Sequence, residues 1–232
     1  MNYLIDYFAE NPRELYSIVE VTGKNAVNNE INRLIPFLDT AKLLVTEIKH
    51  KNLIAFLIEY ANKSYPSKKE VSKIKEYFSD QKNRDYIAQY IDAAIFSKST
   101  KCSSIIGFCA GRIVSNKKDV DYKDIVILNA LKIMYDKDLV NFKNIYEYKD
   151  GKEEKFKKNK PHKSLSDEEL IEKIESVDVY EGRMTIEKLK SVQIFEYEQP
   201  GFPARGGTLG RFGLNENSSH LYNMIIKSKI LN

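Results

Sequence analysis

The chain has 232 residues, of which 42% are hydrophobic and 30% are charged. Together with a mean hydropathy of −0.46, this composition excludes a disordered tail and gives no sign of a membrane protein. Only 10 Gly and 6 Pro are present, too few for the many tight turns of an all-β sandwich, so we expect helices to dominate. The net charge of +4 excludes a dense basic stripe, and any nucleic-acid binding must rest on a local patch.

The two cysteines, Cys102 and Cys109, are seven residues apart in an apolar stretch. On one helix face their Cα atoms would be about 10 Å apart, too far for a disulfide, so we expect buried thiols in a reducing compartment. The first residues carry no secretory signal, and no apolar run approaches the ~20 residues of a membrane span. The sequence therefore predicts a cytoplasmic protein without a membrane segment.

Apolar residues recur at three- and four-residue steps along the first 148 residues, which is the period of amphipathic helices. The pattern predicts helices from Asn11, from Asn25 with a break at Pro36, over 53–64, from Ser67, over 82–97, from Ser99 through Val114, and from Asp121 toward Tyr146. The helix from Ser99 is so continuously apolar that we expect it at the centre of a bundle. Gly107 and Gly111 predict close helix packing there.

Residues 149–164, KDGKEEKFKKNKPHKS, are nearly all charged or small. This composition predicts a solvated linker, and the alternative is a lysine-rich loop that touches phosphates. The predicted organisation is a helical bundle domain over 1–148, a charged linker or loop over 149–164, and a small α+β module over 165–232.

Over the last 68 residues, the sequence pattern no longer indicates helices alone. Ser166 with Glu169 predicts a capped helix through Val177, and a further helix fits 185–192. Alternation over 194–198 and 208–214 predicts two strands around the turn-rich QPGFPARGG, and Asn215 then caps a last helix through Ile226. The predicted fold class is mainly α, a multi-helix bundle followed by a winged-helix-like module with a two-stranded β-hairpin.

This order of elements resembles winged-helix domains. The segment TIEKLKSVQIFEYE is similar to a recognition helix that leads into the first wing strand, and PARGGTLGRFGLNENSSHL is similar to the wing, second strand and exit helix. The resemblance implies that Lys188 and Lys190 approach the DNA major groove. It also implies that Arg205 and Arg211 contact the DNA backbone or minor groove.

Residues 40–145 further resemble uncharacterised helical proteins of bacteria and their mobile elements, in which an apolar helix like SSIIGFCAGRIV follows two amphipathic ones. The resulting hypothesis is a non-enzymatic DNA-associated regulator that binds through the C-terminal module. The alternative is a protein-interaction scaffold of a phage-related or defence-related system, which binds itself or another protein. Eight acidic against four basic residues over 164–193 favour this alternative, because carboxylates repel phosphates.

No motif of nucleotide binding or nucleophilic catalysis occurs in the sequence. His50, His162 and His220 are far apart, and none has a Cys, Asp or Glu at a spacing typical of zinc sites. We therefore predict no catalytic residue, no metal and no cofactor. His220 is placed to pair with Glu216 on one helix face.

Overall fold

The computed structural model describes residues 47–64, 77, 79–116, 118–156, 167–197 and 212–231. Its helices are α1 (Glu47–Ser64), α2 (Gln81–Ile95), α3 (Thr100–Ser115), α4 (Tyr122–Ile133), α5 (Asp136–Phe156), α6 (Asp167–Ile171), α7 (Val179–Ser191) and α8 (Glu216–Ser228), and its strands are β1 (Phe195–Tyr197) and β2 (Phe212–Leu214). The mainly α fold with a small C-terminal hairpin is confirmed. The helices predicted from Asn11, Asn25 and Ser67 lie outside the described residues. No helix of the described part is long and apolar enough to cross a membrane.

The chain divides into two compact units. Within the described residues, the first unit comprises 47–122 and 131–133, and the second comprises 123–130 and 134–231. This boundary differs from the predicted one at residue 148, since α5 belongs to the second unit. Helix α5 also runs to Phe156, so that 149–156, predicted as linker or loop, are helical. Residues 157–164 lie outside the described part of the chain.

Helix α3 lies at the centre of the first unit, as its apolar sequence predicts. Ile105, Ile106 and Ala110 have no exposed surface. Gly107 lies where α3 passes α1, because a Cβ atom built on it would be 2.2 Å from the backbone oxygen of Phe56. Only glycine allows two backbones to approach this closely, and the predicted close packing at Gly107 is confirmed.

Neutral hydrogen bonds fix the connection between α2 and α3. The Asn52 amide of α1 donates to the Ser97 carbonyl oxygen at 2.9 Å and accepts from the Thr100 hydroxyl at 3.1 Å. The Ser97 hydroxyl donates to the Leu131 carbonyl oxygen at 3.3 Å. Asn52 and Ser97 are buried, and these bonds satisfy polar groups that would otherwise destabilise the core.

The single helix predicted from Asp121 toward Tyr146 is wrong, because α4 ends at Ile133 and α5 begins at Asp136. The Asp138 carboxylate accepts the backbone N–H of Tyr135 at 2.8 Å. This bond gives the chain a local partner that starts a new helix. Met134 and Leu139 are both buried, so the apolar stripe continues across the junction of α4 and α5. The apolar periodicity of the sequence therefore does not reveal this break.

The two helices predicted next are also displaced. Helix α6 ends at Ile171 rather than Val177, and α7 begins at Val179 rather than Thr185. The Asp178 carboxylate accepts a hydrogen bond from the Glu181 N–H at 3.0 Å and caps α7, whose first residue is six positions before the predicted start.

The two strands form an antiparallel pair in which Phe195 lies opposite Leu214 and Tyr197 opposite Phe212. The Phe195 and Phe212 ring centroids are 4.5 Å apart, and Phe142 of α5 is 5.7 Å from Phe195. Asn215 caps α8 in a capping box with Ser218. The predicted order of helix, helix, strand, strand and helix is thus present in the second unit.

Candidate functional site

Lys190, predicted to approach the DNA major groove, lies inside the second unit. Its side chain is 1% exposed, and its Nζ atom is 2.7 Å from Asp167 Oδ2 and 2.9 Å from Glu187 Oε1. The Tyr197 ring centroid is 5.0 Å from the same atom. A cation must be exposed to reach a phosphate, so this arrangement takes Lys190 out of the predicted DNA contact.

The ion pair of Lys190 and Asp167 joins three elements of the second unit. Asp167 of α6 also accepts the backbone N–H of Phe212 in β2, at 2.9 Å. Burial alone lowers the pKa of the Lys190 ammonium, but its hydrogen bonds to Asp167 and Glu187 outweigh burial and raise the pKa above its ordinary value. Burial raises the pKa of the Asp167 carboxyl, although Lys190 opposes this. The distance of 2.7 Å is that of a charge-assisted hydrogen bond, and we treat the pair as charged at neutral pH.

Lys188, the second predicted DNA contact on α7, pairs with Asp138 of α5, and its Nζ atom is 4.8 Å from the Tyr135 ring centroid. Its side chain is 24% exposed. The same Asp138 carboxylate accepts the hydroxyl of Thr185 at 2.9 Å. The cation is therefore held against α5 rather than directed to solvent.

Arg183 is the remaining basic residue of α7, and it lies 2.8 Å from Glu168 of α6. Each basic side chain of this helix thus meets a carboxylate of its own unit. Arg205 and Arg211, the predicted wing contacts, lie outside the described residues.

The exposed surface of α7 includes three apolar side chains beside the paired Arg183 and Glu187. Val179, Tyr180 and Met184 are 38%, 71% and 51% exposed, and we call this set the α7 face. Tyr180 and Met184 are four residues apart and share one side of the helix. The α7 face is not predicted from the sequence, because Val179, Tyr180 and Met184 precede the predicted helix start at Thr185. The Asp178 cap, three residues before Glu181, is the signal that would have revealed it.

A cleft of about 480 Å³ lies elsewhere in the second unit, where residues of α4, α5 and α8 meet. At its wall, His220 Nε2 is 3.6 Å from Asp124 Oδ1, and Glu216 pairs with Lys123. The predicted pairing of His220 with Glu216 is therefore replaced by two pairs between α4 and α8. Among the described residues, no three His, Cys, Asp or Glu side chains come together as a metal site would require.

Compared with known protein families, curated proteins and solved structures, the chain matches none. The resemblances to winged-helix domains and to helical proteins of mobile elements therefore remain predictions.

Proposed function

We propose that this protein is a non-enzymatic adaptor whose second unit binds another protein through the α7 face. One observation carries the proposal: the three basic side chains of α7 are each paired with a carboxylate, whereas Tyr180 and Met184 are large apolar side chains exposed to solvent. A DNA-reading helix needs the opposite arrangement, with cations and hydrogen-bond donors outward.

The composition of the α7 face supports a protein partner. Tyr and Met are enriched in protein interfaces, where a large apolar side chain fills a pocket on the partner. Neighbouring apolar side chains exposed together indicate an interaction surface more strongly than isolated ones do. Val179 lies beside Tyr180 in the chain, and Met184 lies one turn further along.

Charge around the α7 face indicates the chemistry of the partner. Residues 167–190 contain eight acidic and four basic side chains, although the whole chain is net positive. Asp178, Glu169 and Glu187 are exposed. The expected partner presents an apolar anchor flanked by Lys or Arg, because such a rim complements the carboxylates and speeds association.

Photo-crosslinking in cells that produce the protein tests this function. The photoreactive residue p-benzoyl-phenylalanine replaces Tyr180 in one variant and Tyr122 in a control, since Tyr122 is 65% exposed in the first unit. We expect a discrete protein adduct from position 180 that position 122 does not give and that Met184→Asp abolishes. Equal adducts at both positions, or none at position 180, would contradict the proposal.

Fluorescence anisotropy with a labelled random duplex at low and physiological salt tests the DNA hypothesis on the same purified protein. We expect that the α7 face does not bind the labelled duplex, even at low salt. Binding that falls steeply with salt and persists in Met184→Asp would replace the adaptor function with DNA association.

A further inference from the structure

The cleft in the second unit has walls from three helices and the end of β2. Its lining comprises Lys123 of α4, Tyr146 and Asp150 of α5, Leu214 of β2, and Asn215, Glu216, Ser219, His220 and Asn223 around α8. Most of these side chains are polar, and the volume of about 480 Å³ is in the range of small-molecule sites.

Most hydrogen-bond donors of this wall already have acceptors within it. The Tyr146 hydroxyl donates to Ser219 Oγ at 3.1 Å, and Ser219 Oγ donates to the Asn215 carbonyl oxygen at 3.3 Å. The Asn223 amide nitrogen donates to the Ser219 carbonyl oxygen at 2.9 Å. The Lys123 ammonium is paired with Glu216.

Acceptors remain available at the same wall. Within the described part of the chain, the Asp150 carboxylate takes part in no hydrogen bond or ion pair, and the side-chain oxygen of Asn223 accepts no hydrogen bond. A ligand that complements this wall must therefore supply N–H or O–H donors.

The charge of the cleft selects among such ligands. Among the described residues that line the cleft are two carboxylates, Asp150 and Glu216, and a single ammonium, Lys123. Asp124 Oδ1 is 3.6 Å from His220 Nε2. The pKa of the adjoining Tyr222 is raised to about 12, first by burial and then by its hydrogen bond to Glu147 and the charges of Glu147 and Asp150. A positive ligand is favoured where carboxylates outnumber cations.

We propose that this cleft binds a small organic cation, whose ammonium or guanidinium group donates to the Asp150 carboxylate and the Asn223 side-chain oxygen. The stacked rings of Tyr146 and Tyr222, with centroids 4.3 Å apart, add an aromatic surface beside the cation site. The same chemistry has two sources, a free polyamine or the Lys or Arg side chain of a peptide.

Isothermal titration calorimetry of the full chain with spermidine tests the site. We expect saturable 1:1 binding that Asp150→Asn weakens by about fivefold, the size expected for loss of one exposed ion pair. The control Asp119→Asn removes the same charge from a side chain 86% exposed in the first unit and should change the affinity by less than about twofold. Circular dichroism verifies that both variants fold.

A second titration with Nα-acetyl-lysine amide distinguishes the sources, because tighter binding than spermidine assigns the site to a protein side chain. The absence of saturable binding of either probe, or equal weakening by the two Asn variants, would overturn the proposal. Met184→Asp should leave spermidine binding unchanged, so that failure of the cleft and failure of the adaptor function are separate results.

Discussion

Different kinds of interaction stabilise the interior of each of the two units of this protein. In the first unit, α1 and α3 approach so closely that Gly107 lies against the Phe56 backbone, and the buried polar groups around Asn52 are neutral. In the second unit, buried and partly buried charges join the elements, with Lys190 paired to Asp167 and Lys188 to Asp138. We therefore expect the first unit to be sensitive to side-chain volume, and the second to charge and pH.

The largest expected effect is loss of the buried ammonium. Lys190→Met keeps most of the aliphatic stem but leaves Asp167, 12% exposed, without its cation. Removing one partner of a buried ion pair typically costs about 3–5 kcal/mol. We expect a fall of this size in the free energy of unfolding, measured by urea denaturation.

Arg183→Ala is the matched control, because it breaks an ion pair whose side chains are 62% and 47% exposed. Such exposed pairs contribute about 0–1 kcal/mol. Adding Asp167→Asn to Lys190→Met should restore much of the loss, since the amide oxygen can still accept the Phe212 N–H. If Lys190→Met were as mild as Arg183→Ala, charge would not be what holds the second unit together.

A smaller effect is expected from added volume in the first unit. Gly107→Ala places a methyl group 2.2 Å from the Phe56 backbone oxygen, and backbone atoms can give way only if α1 and α3 move apart. Overpacking of this kind costs about 1–3 kcal/mol. The change should appear as a lower urea midpoint.

Gly151→Ala provides the control for the intrinsic effect of alanine. A Cβ atom at Gly151 of α5 meets nothing within 4 Å, so this variant should gain about 0.5–1 kcal/mol from helix propensity. A Gly107→Ala variant as stable as the parent would show that the close approach of α1 and α3 is not required.

The smallest expected effect is alkaline destabilisation of the second unit. The pKa of Tyr222 is raised from 10.0 to about 12, so its contribution to stability is present below pH 10 and lost as the pH rises toward 12. The raised pKa of Lys190 acts in the same direction, above its unfolded value of 10.5.

Tyr222→Phe should therefore reduce the loss of stability between pH 9 and pH 11, by less than about 1 kcal/mol because the phenol is only partly screened from water. Urea midpoints at these pH values measure it, and Tyr180→Phe is the control, since that ring is 71% exposed. Identical pH dependence of the parent and Tyr222→Phe would show that Tyr222 is not a source of alkaline sensitivity.

Local pattern was sufficient for much of the fold. The apolar period of α3, the alternation around Phe195 and Phe212, and the Asn215 cap each depend on residues close in the chain, and each is present in the structure. The predicted helix boundaries were wrong where a side chain bonded to the backbone and started a helix that the apolar periodicity did not indicate. Asp138 and Asp178 both accept backbone N–H groups and start helices that periodicity did not place.

The candidate site depended on contacts distant in the chain. The sequence by itself determined a mainly helical protein with a C-terminal hairpin, because helix and strand periods are local properties. It could not show that Lys190 is buried against Asp167, 23 residues away, or that Tyr180 and Met184 are left exposed. Only tertiary structure decided which charges neutralise one another and which apolar side chains remain outside, since burial depends on what packs against a helix and not on the helix alone.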